Sequence, residues 1–309
     1  MKDVARDGSG DTIKTTQCIQ TMFQLKYPVE QTEPPRSPRE TLPTMYDLPS
    51  ENQEEPGLPD EFHALQPQLL SRTCRPPQIS AQEMFTGTDM NLYYDVRHPR
   101  WYKRPDWFVV VGVPRLYDEA DLRLSYVIWQ EGVDPLVVVE LLSPGTEAED
   151  LGANVRSEDL IQMPVEGATP PASATQEVQQ SRETAKEKPP RKWDVYERHL
   201  RVPYYVVFSR YTNRLRAFTL VADRYLEEEL TLNQPRLWIP ALELGLGLWL
   251  GEYEGVTRQW LRWYDQEGNW ILTDTEQARA RAEQAELLLE QARQENERLL
   301  ERLRQLEER

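Results

Sequence analysis

Leu136-Val137-Val138-Val139-Glu140-Leu141-Leu142 is the most strand-like run of this 309-residue chain. Its valine and leucine side chains follow one another without the polar alternation of a half-exposed strand. Such a run is typical of a strand that is buried on both faces. The run therefore predicts a central strand, and Glu140 is its one charged residue. A carboxylate in that position is costly unless it is paired or bound to a metal ion.

Weaker patterns predict the elements around this strand. The side chains of residues 124–129 alternate, with Leu, Tyr and Ile on one side and Ser, Val and Trp on the other. The turn at 131–135 joins this segment to the central run, so we expect a hairpin whose second strand is the buried one. Other strands are expected at 107–113, 204–209, 215–220 and within 237–253, with a last hairpin at 259–263 and 270–272. Helices are expected at 58–70, where Pro67 interrupts the apolar spacing, and at 193–199.

Composition indicates a globular core that is diluted by other segments. The hydrophobic fraction is 39%, below the ~45–50% of ordinary globular domains, and 24 residues are proline. Two cysteines and three histidines are too few for a disulfide scaffold, a cysteine zinc cage or a histidine-rich metal site. The chain has neither a membrane-spanning apolar run nor a signal-peptide pattern, so we expect a cytoplasmic protein without a membrane partner.

The chain divides by composition into a folded domain and three other segments. Residues 1–57 are acidic and rich in proline, which predicts a disordered tail. Residues 58–275 hold the strand and helix patterns and form the expected domain. Within that domain, about 153–190 is polar and contains five prolines, so we expect a disordered insertion. Residues 276–309 are rich in Ala, Leu, Glu, Arg and Gln and form the expected coiled coil.

The net charge of −16 argues against nucleic acid as a partner. The distribution of the charge weakens that objection, because residues 30–61 hold nine acidic residues against two basic ones. Residues 191–224 hold eight basic residues against three acidic ones. A local basic face can bind a polyanion although the whole chain is acidic.

Two acidic side chains are candidates for a metal site. Glu140 lies in the central strand, and Asp106 comes directly before the strand expected at 107–113. If the two strands are neighbours, their carboxylates lie side by side, and Mg²⁺ accepts one or two carboxylates while it keeps several waters. In the alternative interpretation, Glu140 lies at a strand end and forms a salt bridge with an arginine.

The sequence around these acids resembles the Uma2 family over roughly 58–265. The matching strings are PD (105–106), SYVIWQEG (125–132), VELLSPGT (139–146), DLG (150–152), KWDVY (192–196) and VPYYVV (202–207). The resemblance implies an α/β fold with a restriction-endonuclease-like mixed β-sheet core and flanking helices, as in the PD-(D/E)xK nuclease superfamily. It also implies catalysis by Asp106 and Glu140, which would hold Mg²⁺ or Mn²⁺, together with a lysine.

The lysine does not stand where the superfamily pattern has it. Leu142 occupies the position two residues after Glu140. The resemblance to Uma2 implies that the lysine comes from the following helix, which in this chain gives Lys192, four residues before Tyr196. The insertion at 153–190 separates Lys192 from the acids along the chain, and a long loop adds little entropic cost to that closure.

Several further residues have two interpretations each. Three of them could support the site: Asp150, Glu61 and Tyr196. Asp150 could instead be a helix N-cap, and Tyr196 could instead serve only in packing. Glu61, with His63 on the same helix, could instead lie on a plain surface. The resemblance to nucleases suggests phosphate contacts for six basic residues, whose alternative is a solvated surface: Arg97, Arg100, Lys103, Arg104, Arg191 and Arg198.

Residues 276–309 follow a heptad pattern. The core positions are Ala278, Ala282, Ala285, Leu289, Ala292, Asn296, Leu299, Leu303 and Leu306. A polar residue at one core position fixes register and favours a parallel pair of helices, so we expect a homodimer through this segment. The alternatives are a single helix on the domain, a frayed tail and a segment that recruits another protein.

The leading hypothesis is a Mg²⁺-dependent endonuclease that hydrolyses phosphodiester bonds in DNA. Its first alternative is a catalytically degenerate protein that keeps the nuclease fold and serves as a coiled-coil scaffold. Its second alternative is an accessory protein of a mobile element. Convergence of Asp106, Glu140 and Lys192 would favour the enzyme, and dispersed side chains would favour the scaffold.

Overall fold

The computed structural model describes residues 32–44, 61–143, 146–160, 188–231 and 233–307. The strands are β1 (Met84–Thr88), β2 (Leu92–Tyr93), β3 (Tyr102–Lys103), β4 (Trp107–Val111), β5 (Tyr126–Val127), β6 (Val137–Leu141), β7 (Tyr204–Ser209), β8 (Arg214–Val221), β9 (Arg224–Glu227), β10 (Arg236–Ile239), β11 (Leu244–Tyr253) and β12 (Val256–Tyr264). The helices are α1 (Pro38–Thr41), α2 (Glu61–Thr73), α3 (Ile128–Glu131), α4 (Glu147–Leu151), α5 (Lys192–Asp194) and α6 (Asp274–Glu307). A π-helical turn, Val195–His199, continues α5.

A six-stranded mixed sheet in the order β1-β4-β6-β7-β8-β9 lies at the centre of the fold. β6 pairs in parallel with β7, and the other neighbours pair antiparallel. β6 is buried on both faces as predicted, with Val137 and Val139 in one core and Val138 in the other. The predicted α/β fold with a restriction-endonuclease-like mixed sheet and flanking helices is confirmed.

Different elements cover the two faces of this sheet. α2 and a second sheet, in the order β10-β11-β12, pack against the face that presents Val137 and Val139. α5 and the π-helical turn pack against the opposite face. α2 is continuous through Pro67, and its buried neighbour Gln66 exchanges two 2.9 Å hydrogen bonds with the backbone of Leu261. These bonds fix α2 on β12.

The predicted hairpin of 124–129 with the central strand is wrong. Only β5 is extended in that segment, and it pairs in parallel with β2 in a small sheet of β3, β2 and β5. The chain then enters α3, where Gln130 donates hydrogen bonds to the carbonyls of Pro38 and Leu42 at 2.7 and 3.0 Å. This segment therefore packs against α1, and the neighbours of β6 are β4 and β7.

The predicted last hairpin is present but much shorter than expected. Tyr264 and Trp270 form an antiparallel bridge, and Ile271 N–H donates to the carbonyl of Trp263 at 2.9 Å, so the chain does reverse at 265–269. Along its whole length β12 pairs with β11 instead. The loop between β11 and β12 is Glu254-Gly255, and both residues have positive φ, 48° and 78°. Two consecutive residues with positive φ form the type I′ turn that suits the twist of a two-residue hairpin.

Parts of the segments predicted to be disordered lie within the described residues and pack on the domain. α1 contacts α3 as described above, and Asp159 is 2% exposed. Its carboxylate accepts a 2.7 Å hydrogen bond from the buried Arg216 of β8. The rest of the predicted tail and insertion, 1–31, 45–57 and 161–187, lies outside the described residues.

The long helix α6 is fixed to the domain at its first turn. Glu276 N–H donates to Thr273 Oγ1 at 3.3 Å, and Thr273 N–H donates to Glu276 Oε2 at 2.8 Å, which is a capping box. Arg262, 1% exposed on β12, donates to Glu276 Oε1 at 3.0 Å. Among the described residues, no helix combines the length and the apolar character that crossing a membrane requires.

Candidate active site

The sheet brings Asp106 and Glu140 together where β4 begins and β6 ends. β4 lies beside β6 with Trp107 opposite Val139, so Asp106, which precedes Trp107, falls next to Glu140. Leu141 N–H donates to Asp106 Oδ2 at 2.6 Å, and Asp106 N–H donates to Glu140 Oε2 at 3.4 Å. The backbone of each strand thus holds the carboxylate of the other.

Lys192 approaches the same carboxylate from the first turn of α5. Its Nζ lies 2.9 Å from Glu140 Oε2 and 3.3 Å from Asp150 Oδ1. Tyr196, one helical turn later, donates its hydroxyl proton to Glu140 Oε1 at 2.7 Å. Glu140 is fully buried, and both of its oxygens accept hydrogen bonds from this helical segment. The structure therefore brings together Asp106, Glu140, Asp150, Lys192 and Tyr196.

The cluster holds more negative than positive charge. Burial raises the pKa of Glu140 to about 7 and that of Asp150 to about 6, and it raises the pKa of Asp106 as well. Lys192 opposes all three shifts. Burial favours its neutral amine, but the carboxylates of Asp150, Glu140 and Asp106 raise its pKa well above the ordinary value. The three carboxylates thus favour the charged form of Lys192, whose single positive charge faces three acidic groups.

The donor set suits a hard divalent cation with few protein ligands. Asp106 and Glu140 offer carboxylate oxygens, which Mg²⁺ and Mn²⁺ prefer. Asp150 Oδ1 is buried and lies 3.3 Å from Lys192 Nζ, so this third carboxylate pairs with the ammonium. The described part of the chain contains no group of three or more His, Cys, Asp or Glu side chains arranged for a metal. A site of two carboxylates therefore relies on water for its other ligands, as Mg²⁺ sites commonly do.

The structure shows where the residues with two interpretations lie. Glu140 pairs with a lysine rather than with an arginine. Asp150 lies inside α4, whose N-cap residue is Thr146, so Asp150 is not a helix N-cap. Tyr196 is a core residue and also a hydrogen-bond donor. Glu61, the first residue of α2, is exposed.

His63, two residues after Glu61, does reach the edge of the site. Its Nε2 lies 3.2 Å from the carbonyl oxygen of Leu141 and 3.1 Å from Ser143 Oγ. The charge of His63 also acts to lower the pKa of Asp106. On α2, His63 is therefore closer to the predicted chemistry than Glu61.

Four of the six predicted phosphate-contact residues pair with acids of this chain. Their closest distances are 3.2 Å for Arg97 with Asp95, 2.6 Å for Lys103 with Glu149, 2.8 Å for Arg104 with Asp89 and 3.4 Å for Arg198 with Glu197. Arg100 and Arg191 are exposed. The acids compensate much of the positive charge that the sequence alone assigned to this surface.

Glu149 is a site-supporting residue that the sequence analysis missed. Its Oε1 accepts a 2.6 Å hydrogen bond from Lys103 Nζ and a 3.0 Å hydrogen bond from the backbone N–H of Lys192. Glu149 thus ties β3 to the first residue of the helix that carries the lysine. Its position next to Asp150, in a segment where three of the four residues at 147–150 are acidic, could have identified it.

Replacing Glu149 by alanine, which removes the acceptor oxygen of both contacts, is expected to lower the nuclease activity that the resemblance implies by ~10–100-fold, because a small displacement of a reacting group has effects of that size. The turnover rate should fall, while DNA affinity should stay close to that of the unmodified chain. Glu283→Ala, on an exposed part of α6, is the control. A Glu149→Ala variant with normal turnover would contradict the role of Glu149 in positioning Lys192.

Comparison with known proteins identifies a family whose description agrees with the geometry of this cluster. The model of the Uma2 family, described as "Putative restriction endonuclease", matches residues 40–252. The matched region includes Asp106, Glu140, Asp150, Lys192 and Tyr196. No curated protein and no solved structure matches this chain.

Proposed function

This chain belongs to the Uma2 family of putative restriction endonucleases, and we propose that it is a Mg²⁺-dependent endonuclease that hydrolyses phosphodiester bonds in DNA. The observation that carries the proposal is the contact of Lys192 with Glu140 at 2.9 Å, across 52 positions of sequence. The two acids and the lysine of a nuclease site thereby lie in one cluster although the usual lysine position holds Leu142.

The proposed chemistry divides among these residues. Mg²⁺ or Mn²⁺ held by Asp106 and Glu140 would neutralise charge on the scissile phosphate and lower the pKa of a bound water. Lys192 is charged and 20% exposed, so its ammonium can approach the substrate and stabilise the negative charge that develops there. Tyr196 and the backbone N–H of Leu141 keep the two carboxylates oriented. Asp150 helps to keep Lys192 protonated.

The burial of the carboxylates disfavours a catalytically degenerate scaffold. Buried charges are costly, and apolar residues of similar volume are often at least as stable in their place. A scaffold has no use for three carboxylates around one ammonium, whereas an enzyme that binds a divalent cation does. We therefore keep the scaffold only as the outcome that a failed cleavage assay would favour.

We also propose that the chain acts as a homodimer through 276–309 and meets DNA in the cytoplasm. A dimer with two-fold symmetry suits the two antiparallel strands of a duplex. Support for the dimer comes from α6, whose leucine side chains are more than half exposed along its length.

A cleavage assay tests the proposed function. The full chain is incubated with supercoiled, linear and single-stranded DNA in Mg²⁺, in Mn²⁺ and in a chelator. We expect nicking or cutting with either ion and none in the chelator. Absence of cleavage on every substrate with both ions would overturn the proposal.

Mg²⁺ is expected to stabilise the fold more at high pH than at low pH. Glu140 and Asp150 have raised pKa values in the folded chain, so folding takes up protons and this part of the stability declines from about pH 4 to about pH 7. Metal binding requires the ionised carboxylates and releases those protons. Thermal unfolding with and without Mg²⁺ should give the larger shift near pH 8, and a smaller one near pH 5.5.

The control for this measurement is Glu140→Gln, which removes one of the two proposed metal ligands. Its melting temperature should respond weakly to Mg²⁺ at either pH. An equal Mg²⁺ shift at both pH values, or a shift that survives in Glu140→Gln, would mean that the ion binds elsewhere.

A further inference from the structure

One face of α6 carries an apolar stripe, interrupted at Asn296, that no other described part of the chain covers. Its larger members, Leu289, Leu299, Leu303 and Leu306, are between 52% and 63% exposed. The stripe starts two residues beyond the capping box, at Ala278, and runs almost to the end of the helix. A second helix with the same periodicity is the kind of partner that covers such a face.

The order of residues along the stripe distinguishes parallel from antiparallel pairing. In heptad letters, Ala282, Leu289, Asn296 and Leu303 are a positions, and Ala278, Ala285, Ala292, Leu299 and Leu306 are d positions. In a parallel pair in register, each residue faces the same residue of the second copy. Four layers then contain two leucines each, and the two Asn296 side chains can hydrogen-bond to each other.

Antiparallel pairing would lose this match. In an antiparallel pair, a residues face d residues, and the d positions hold only alanine and leucine. Asn296 therefore faces an apolar residue in every antiparallel register and is left without a hydrogen-bond partner. In the register of greatest overlap, Leu289 faces Ala292, Leu299 faces Ala282 and Leu303 faces Ala278, so each of these three leucines packs against a methyl group.

The charged residues beside the stripe agree with the parallel arrangement. Arg281 is a g position and Glu286 is the e position of the following heptad. These positions face each other across a parallel pair, so each Arg281 meets a Glu286 of the second copy. Both residues are exposed in the single chain.

We infer that α6 pairs with the α6 of a second copy of this chain, parallel and in register, with the two Asn296 side chains facing each other. The inference rests on the proposed homodimer, and it extends the parallel pairing that the sequence favours to a definite register of facing residues. Because both helices start at a domain, the parallel arrangement holds the two catalytic domains at the same end of the helix pair.

Single cysteines test the orientation in the full chain. The background carries Cys18→Ser, and Cys74 stays because it is buried. Ala282→Cys and Leu303→Cys are oxidised separately, and Glu301→Cys, at an f position on the outer side of the helix, is the matched control. We expect most of the chain to form a disulfide-linked dimer with either core cysteine and little of it to do so with Glu301→Cys.

A mixture of Ala282→Cys with Leu299→Cys chains provides the opposite test, since an antiparallel pair of full overlap brings these two positions together. A dimeric mass in sedimentation without self-linkage at Ala282→Cys and Leu303→Cys would overturn the parallel orientation but keep the homodimer. A monomeric mass would overturn both. Neither result depends on DNA cleavage, so failure of the proposed nuclease activity is recognised separately.

Asn296→Leu tests the assigned role of Asn296. This change should raise the thermal stability of the dimer and add larger assemblies to it, because the polar layer restricts register and oligomeric state at a cost in stability. Asn296→Gln, which keeps a polar amide, should leave the mass close to that of the unmodified chain. Unchanged mass and unchanged stability in Asn296→Leu would contradict the pairing of the two asparagines.

Discussion

Glu140→Gln is expected to reduce Mg²⁺-dependent DNA cleavage by about 10³-fold or more, because a metal ion supplies several kcal/mol of transition-state stabilisation. Glutamine keeps the shape of the side chain, and its carbonyl oxygen can still accept the hydrogen bond from Tyr196. The change removes a carboxylate whose pKa burial raises to about 7. Folding stability at neutral pH should therefore be maintained or increased.

The measurement compares initial cleavage rates and thermal unfolding of the same preparations. Glu252→Gln, an exposed residue of β11, is the matched control and should cut at the normal rate. Asp106→Asn should behave as Glu140→Gln does, because Asp106 offers the second carboxylate. Normal cleavage by either site variant would show that the reaction does not use this cluster.

Arg216→Met is expected to destabilise the domain by about 3 kcal/mol, the effect of leaving a buried charge without its partner. Arg216 is 3% exposed on β8 and donates to Asp159 at 2.7 Å and to Glu227 at 2.8 Å. Methionine fills a similar volume but leaves Asp159, which is 2% exposed, without its closest cation. Denaturant unfolding measures the loss.

Two further variants make this measurement specific. Arg224→Met on the adjacent β9 removes an exposed guanidinium and should change stability by less than ~0.5 kcal/mol. Asp159→Asn combined with Arg216→Met should recover part of the loss, because it removes the unpaired charge. If Arg216→Met is as stable as the unmodified chain, residues 154–159 do not pack on the sheet in solution.

The central strand and its acid could be predicted because their signal is local. Three valines in a row leave no polar face, so β6 had to be buried on both sides, and Glu140 within it had to have a partner. The neighbours of β6 could not be predicted in the same way. Strand pairing depends on distant segments, and the parallel partner β7 lies beyond the long insertion.

The two predicted hairpins differ in outcome. The turn at 131–135 is a real turn, but it joins a short helix to β6 and not two paired strands. The reversal at 265–269 is present, yet it pairs only the end of β12, and Glu254-Gly255, with its alternating flanks, was the better hairpin signal near the end of the domain. At the site, the strand pattern supplied Asp106 and Glu140, and the resemblance to Uma2 supplied Lys192. Glu149 was missed because its role depends on a backbone N–H 43 residues away.

In the proposed homodimer, the capped start of α6 fixes the rotational phase between the domain and the helix pair. Each residue of an α-helix adds about 100° of rotation and 1.5 Å of rise. Only one residue, Gln277, separates the Glu276 anchor from the first stripe residue, Ala278. Two residues inserted there would turn each domain by about 200°, to nearly the opposite side of the rod, whereas seven would restore its azimuth to within about 20°. The number of residues at this junction therefore sets the direction in which the two proposed active sites face.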